Sequence, residues 1–158
     1  MRFFKMAGML LLFVCGLFAS ALLVRFEKKR ARQAEGFLSL LRFIRMQIDC
    51  FSAPIGRILS KIDEKTRKDC ELPENAPDFP QLLEGTSLFM PPEMQTLLEQ
   101  FSKDLGKGYR EDQLRTCDYY IAQLRLHCEK IRAELSKRIR LWLLLPPILT
   151  AALILLLI

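Results

Sequence analysis

Residues 114–158 read LRTCDYYIAQLRLHCEKIRAELSKRIRLWLLLPPILTAALILLLI, two patterns in one uninterrupted stretch. Leu114, Cys117, Ile121, Leu124, Cys128, Ile131 and Leu135 alternate steps of three and four, which is a heptad seam on one face of a helix. Trp142 keeps the phase, while Arg138 stands where the seam wants an apolar residue, so the seam loosens there. From Leu141 to Ile158 no charge occurs. As a helix that run is about 27 Å long, close to the roughly 30 Å of a bilayer's hydrocarbon core. Nothing obliges the helix to stop between the two patterns. The sequence therefore predicts one nearly continuous helix, bent at Pro146 and Pro147. The seam itself has two readings: the core of an intramolecular bundle, or a face that pairs with another protein.

A second uncharged run, Met6 to Val24, lies at the other end, and the charged residues concentrate between the two. Residues 1–24 are expected to form an N-terminal transmembrane anchor and residues 141–158 a C-terminal transmembrane helix. Residues 25–140 then form one modest domain between them. The formal net charge of +6 gathers beside the spans. Arg25, Lys28, Lys29, Arg30 and Arg32 follow the first, opposed by Glu27; Lys130, Arg132, Lys137, Arg138 and Arg140 precede the second, opposed by Glu129 and Glu134. Such clusters stay on the cytoplasmic side and favour anionic lipid head groups, so the domain is expected in the cytosol. They coincide with span boundaries and lack interleaved aromatics, so no nucleic-acid partner is expected. Ala19, Ser20 and Ala21 resemble a leader cleavage site, but the apolar run continues to Val24, which favours a retained anchor.

Between the spans, glycine and β-branched residues are sparse and Leu, Arg, Lys, Glu and Gln dominate, so the fold class is all-α, a helical bundle. Phe37, Leu41, Ile44, Ile48 and Phe51 predict an inward face on a helix opening near Arg32, with Arg42, Arg45 and Asp49 opposite. Ser52-Ala53-Pro54 is a break with Ser52 as N-cap, and Ile55, Ile58, Leu59 and Ile62 predict a second helix reaching Lys68. Pro73, Pro77 and Pro80 make residues 69–81 a loop, with a helical turn or two over Gln81–Phe89. Pro91 and Pro92 start a third helix with Met94, Leu97, Leu98, Phe101 and Leu105 inward, ended by Gly106 and Gly108.

No catalytic constellation is present in this pattern. The single histidine, His127, has no Cys or carboxylate pair at ligand spacing and reads as a surface or boundary residue. Gly106-Lys107-Gly108 lacks the strand and spacing of a phosphate loop. Cys15, Cys50, Cys70, Cys117 and Cys128 show no metal spacing, and no disulfide is expected. Neither span carries an ionisable group; their polar content is Ser20 and Thr150. The expectation is a non-enzymatic protein without cofactor or metal.

The stretch Arg32-Gln33, the amphipathic helix after it, Ser52-Ala53-Pro54-Ile55 and Ile58-Leu59 resemble the stage III sporulation protein AB family. There an Arg-Gln pair begins an amphipathic helix that ends at a turn with a Thr-Pro-Leu element. Phe101-x3-Leu105-Gly106, with Gln113 opening the long helix, is a second point of likeness. The chain departs from that pattern at Tyr109, where the family tends to have Asp, and at Pro146 and Pro147, where it carries glycines. Its central segment is also shorter and richer in proline.

The resemblance implies a component of the endospore channel, a secretion-like complex in the outer forespore membrane with its domain on the mother-cell side. That domain is similar to the cytoplasmic domain of the type II secretion inner-membrane platform protein. The implied partners are the stage III AA ATPase, a cytosolic secretion-type enzyme, and other membrane proteins of the same complex. The expected contact residues lie at the bundle tips: Pro54, Arg57, Leu105, Gly106, Lys107, Arg110 and Gln113. The competing reading is a stand-alone membrane tether or regulator that dimerises through the heptad seam.

Overall fold

Among the described residues the fold consists of six helices and no strand. The computed structural model describes the backbone of residues 2–51, 54–74 and 76–157, with the side chains of all these except 2–7, 9, 10, 154, 156 and 157. The helices are α1 (Arg2–Phe51), α2 (Ile55–Leu59), α3 (Glu64–Cys70), α4 (Phe79–Glu84), α5 (Pro92–Asp104) and α6 (Arg110–Leu157). Residues 30–131 form one unit; the chain up to Lys29 together with that from Arg132 forms another.

The central unit is built on the inward face of α1. Phe37, Leu41, Ile44 and Ile48 are buried as the periodicity predicts, joined by Ala34 and Leu40. Phe51 is not: it is 67 % exposed at the last residue of α1. The expected second helix is two. Asp63 accepts a hydrogen bond from the Thr66 N–H at 3.0 Å and starts α3 afresh, while α2 ends at Leu59. The Ser52 N-cap lies outside the described residues; Pro54 holds the N-cap position of α2, without a side-chain bond. The loop is also shorter than expected. Asp78 caps Gln81 N–H at 2.9 Å and Pro80 sits in the first turn of α4, where a missing N–H costs nothing.

Two aromatic contacts tie the later helices together. Phe79 and Phe101 meet edge to face at 5.2 Å, and Phe101 meets Tyr120 at 5.4 Å. Tyr120 donates to Asp104 at 2.8 Å; burial, then that carboxylate, pushes its hydroxyl up to about 12. Gln33 is 1 % exposed and organises the loops. Its Nε2 donates to the carbonyls of Cys70 (3.1 Å) and Ser87 (2.7 Å), and its Oε1 accepts from Phe89 N–H (2.8 Å). Gly36 lets α1 approach α3: a Cβ there would stand 2.7 Å from Cys70 Sγ.

In the terminal unit α1 and α6 run antiparallel. Glu27 meets Arg138 at 3.8 Å, Ser20 reaches Trp142 and Leu143, and Gly16 faces Thr150, so falling numbers in one helix pair with rising numbers in the other. Helix α6 passes through Pro146 and Pro147 without ending. Among the described residues no helix is long and apolar enough to cross a membrane. The apolar runs 6–24 and 141–158 both extend into residues whose side chains lie outside the description.

Candidate partner interface

The carbonyls in the last turn of a helix have no partner inside it. At the end of α1 they are met by Arg110, the first residue of α6. Its guanidinium donates to the carbonyls of Ile48 (3.4 Å) and Asp49 and to Asp49 Oδ1 (2.6 Å). Arg45 extends the chain of charges, bonding Asp49 at 3.4 Å and gripping Asp118 through two bonds of 2.6 and 3.2 Å. The Arg45 fork holds the Asp118 carboxyl below its usual range, chiefly through the hydrogen bond.

The turn between α5 and α6 completes this end of the unit. Gly106 has φ of 85° and Gly108 has φ of 80°, a region costly for residues with a Cβ. A Cβ on Gly106 would also come within 2.9 Å of Ile55 Cδ1, so the turn is seated on the first residue of α2. Gln113 donates through Nε2 to Gly108 O (3.3 Å) and through its N–H to Tyr109 O (3.0 Å), closing the turn.

The seven residues expected at the tips therefore come to one end of the central unit, but they divide in role. Leu105 and Gln113 are half-buried; Gly106 shapes the turn, and Pro54 stands exposed at the head of α2. Arg110 is half-exposed yet engaged with α1. Arg57 and Lys107 face solvent, and Lys107 has Asp104 at 3.8 Å. Two exposed aromatics lie on the same segments: Tyr109, 84 % exposed, and Phe51, which the spacing assigns to the inward face, with Lys61 Nζ 5.9 Å from its ring centroid. Phe51 carried a signal, since it directly precedes the Ser52-Ala53-Pro54 break.

The heptad seam lies elsewhere. Cys117, Leu124 and Cys128 are buried in the core of the central unit, with Leu114, Ile121 and Ile131 half-buried against it. Leu135 is half-buried and belongs to the terminal unit. Burial pushes the Cys70 thiol up to about 12 and those of Cys117 and Cys128 to about 11, and all five cysteines are free. Half-buried His127 has Glu93 at 3.7 Å. Among the described residues no group of three His, Cys, Asp or Glu side chains is placed to hold a metal ion.

No curated protein and no solved structure matches the chain. Residues 81–158, which carry the α5–α6 turn and the whole of α6, match the model of stage III sporulation protein AB. The likeness to the stage III sporulation protein AB family thus lies in the α5–α6 turn and α6, and it marks the chain as a sporulation-related protein.

Proposed function

We propose that the chain is a non-enzymatic membrane component of the mother cell–forespore channel complex and a platform for the stage III AA ATPase. Residues 6–24 and 141–158 anchor it, and the helical part between them lies on the cytosolic, mother-cell side of the outer forespore membrane. The observation that carries the reading is the end of the central unit where α2 and the α5–α6 turn meet. Arg57 and Lys107 are exposed there, and Tyr109 and Phe51 are exposed on the adjoining segments, so cations and aromatics share this end, with the Gly106 turn seated on Ile55. Such a surface suits an acidic protein partner, with aromatics supplying contact area and cations the steering. Two anchors restrict orientation and raise the local concentration of that surface for a membrane-bound assembly.

The membrane margin supports the lipid part of the proposal. Arg138 is occupied by Glu134 (2.8 Å) and Glu27, which hold its guanidinium charged. Lys137 and Arg140 have no ion pair among the described residues. They stand at one end of a groove continued by Leu141, Leu144, Leu145 and Ile148. Cations above an apolar track match an anionic phospholipid, phosphate against the charges and acyl chain along the leucines.

The competing tether that dimerises through the seam is less well supported. It would have to withdraw Cys117, Leu124 and Cys128 from the chain's own core. Co-purification of the ATPase with the full chain separates the two readings. Arg57→Glu with Lys107→Glu is expected to lower recovery on the order of ten-fold. Unchanged recovery, with normal membrane content of the variant, would remove the ATPase contact from this end of the unit. Deletion of the gene in the sporulating host tests the assignment to the channel: forespores should engulf normally, then shrink and fail to give heat-resistant spores.

A further inference from the structure

In an α-helix each N–H bonds the carbonyl four residues before it, and proline has no N–H. Pro146 and Pro147 therefore leave two specific carbonyls of α6 without a helical partner: those of Trp142 and Leu143. The Ser20 hydroxyl of α1 donates to these same two carbonyls, closely to Trp142 and at 3.2 Å to Leu143. Ser20 is 4 % exposed, although it lies in a run of otherwise apolar residues. One turn earlier, Gly16 supplies the close approach this needs. A Cβ there would come within 2.7 Å of Thr150 Cγ2 and 2.8 Å of its hydroxyl oxygen. Thr150 is itself turned back onto the Pro147 carbonyl at 2.9 Å, so it does not serve the two orphans.

We propose that Ser20 is an intramolecular latch that closes the double-proline break of α6 from the facing helix. One hydroxyl has one proton for two acceptors, so the closure is shared and always leaves one carbonyl weakly served. Pairing of the terminal helices and closure of the break are then a single equilibrium. When α1 separates from α6 at Ser20, two carbonyls lose their donor together and α6 becomes hinged at residues 142–147. This rests on the anchoring part of the proposed function, because only a water-free surrounding lacks a substitute donor for those carbonyls. It does not depend on the ATPase contact.

The test is a double-mutant cycle on the full chain extracted from membranes into detergent micelles. Amide hydrogen exchange is read in peptides covering residues 138–152. Ser20→Ala should speed exchange there roughly three- to ten-fold, the range for one interhelical hydrogen bond in a membrane protein. Pro146→Ala with Pro147→Ala restores the two N–H groups inside α6. In that background Ser20→Ala should change exchange less than two-fold. Equal acceleration in both backgrounds would overturn the latch and leave Ser20 a packing residue. Membrane fractionation before extraction keeps the failures apart. A chain recovered without detergent would end the anchoring reading and the latch with it, whereas a membrane-bound chain with an additive cycle would end the latch alone.

Discussion

Replacing Gln33 by Leu keeps the volume of a buried side chain and removes three hydrogen bonds at once. The amide fixes three backbone groups on two separate segments, the end of α3 and the loop after α4: the carbonyls of Cys70 and Ser87 and the N–H of Phe89. The Cys70 bond is buried, so its loss leaves a carbonyl with no water to replace the donor. Such a group costs about 1–3 kcal/mol, and the two part-buried ones, which water can reach, about 1 kcal/mol each. The sum is about 3–5 kcal/mol, a large share of the roughly 5–15 kcal/mol that holds a domain together. Ser39→Ala is the control, because its hydroxyl bonds Glu35 O on an exposed face; it should cost less than about 0.5 kcal/mol. Thermal unfolding of the full chain in detergent, followed by far-ultraviolet circular dichroism, should show Gln33→Leu melting about 10 °C lower. Amide exchange at Phe89 should rise in parallel. A melting shift like that of Ser39→Ala, with Phe89 still protected, would refute the assignment of Gln33 as the fastener of these loops.

Two further outcomes follow from titrating groups. Asp118 is held below its ordinary range by the Arg45 fork, so the pair stabilises above the unfolded carboxylate pKa of about 4 and is lost as pH falls below it. Asp118→Asn should therefore flatten the stability–pH slope below about pH 4 while lowering stability slightly at neutral pH, read by unfolding across a pH series. Thiol labelling divides the cysteines. Cys70, Cys117 and Cys128 are buried with raised pKa values and should stay unmodified by a maleimide at pH 8, whereas exposed Cys50 reacts within minutes. A membrane-impermeant maleimide should reach Cys50 only from the cytosolic face; labelling from the opposite face would reverse the proposed topology.

How much of this was legible in the sequence depended on the range of the interaction. Helical periodicity is a local signal, and it placed Phe37, Leu41, Ile44, Met94, Leu98 and Phe101 in the core correctly, while for Cys117 and Leu124 it left core and partner face both open. It misled where a cap outranked it. Residues 55–68 read as one helix by their apolar spacing, yet Asp63, accepting from the Thr66 N–H, restarts the helix at Glu64. Asp78-Phe-Pro-Gln81 likewise carries a capping pattern that marks the start of α4 inside what proline content alone makes a loop. Both signals were in the sequence, and both are shorter than the window that a period needs. Gln33 is a different case. Its partners lie 37 to 56 residues away and are backbone groups, so no residue type announces them. A lone amide on an otherwise apolar face carries the information that something must satisfy it, but not what.

Ser20 lies between these extremes, and it shows what elementary bookkeeping can add to pattern. Two consecutive prolines inside a helix name the carbonyls they abandon, by counting back four residues to Trp142 and Leu143. In an apolar run the donor comes from a side chain, and the two runs offer two hydroxyls: Ser20 and Thr150. Thr150 follows the prolines on their own helix and bonds the Pro147 carbonyl instead. Of the two hydroxyls, Ser20 is the one the structure sets against these carbonyls. The glycine one turn before it marked the face on which the helices could approach. The same count also says what the site depends on. A span with glycines in place of Pro146 and Pro147 keeps its own N–H groups and needs no donor from across the pair. There a serine at position 20 would be free to vary.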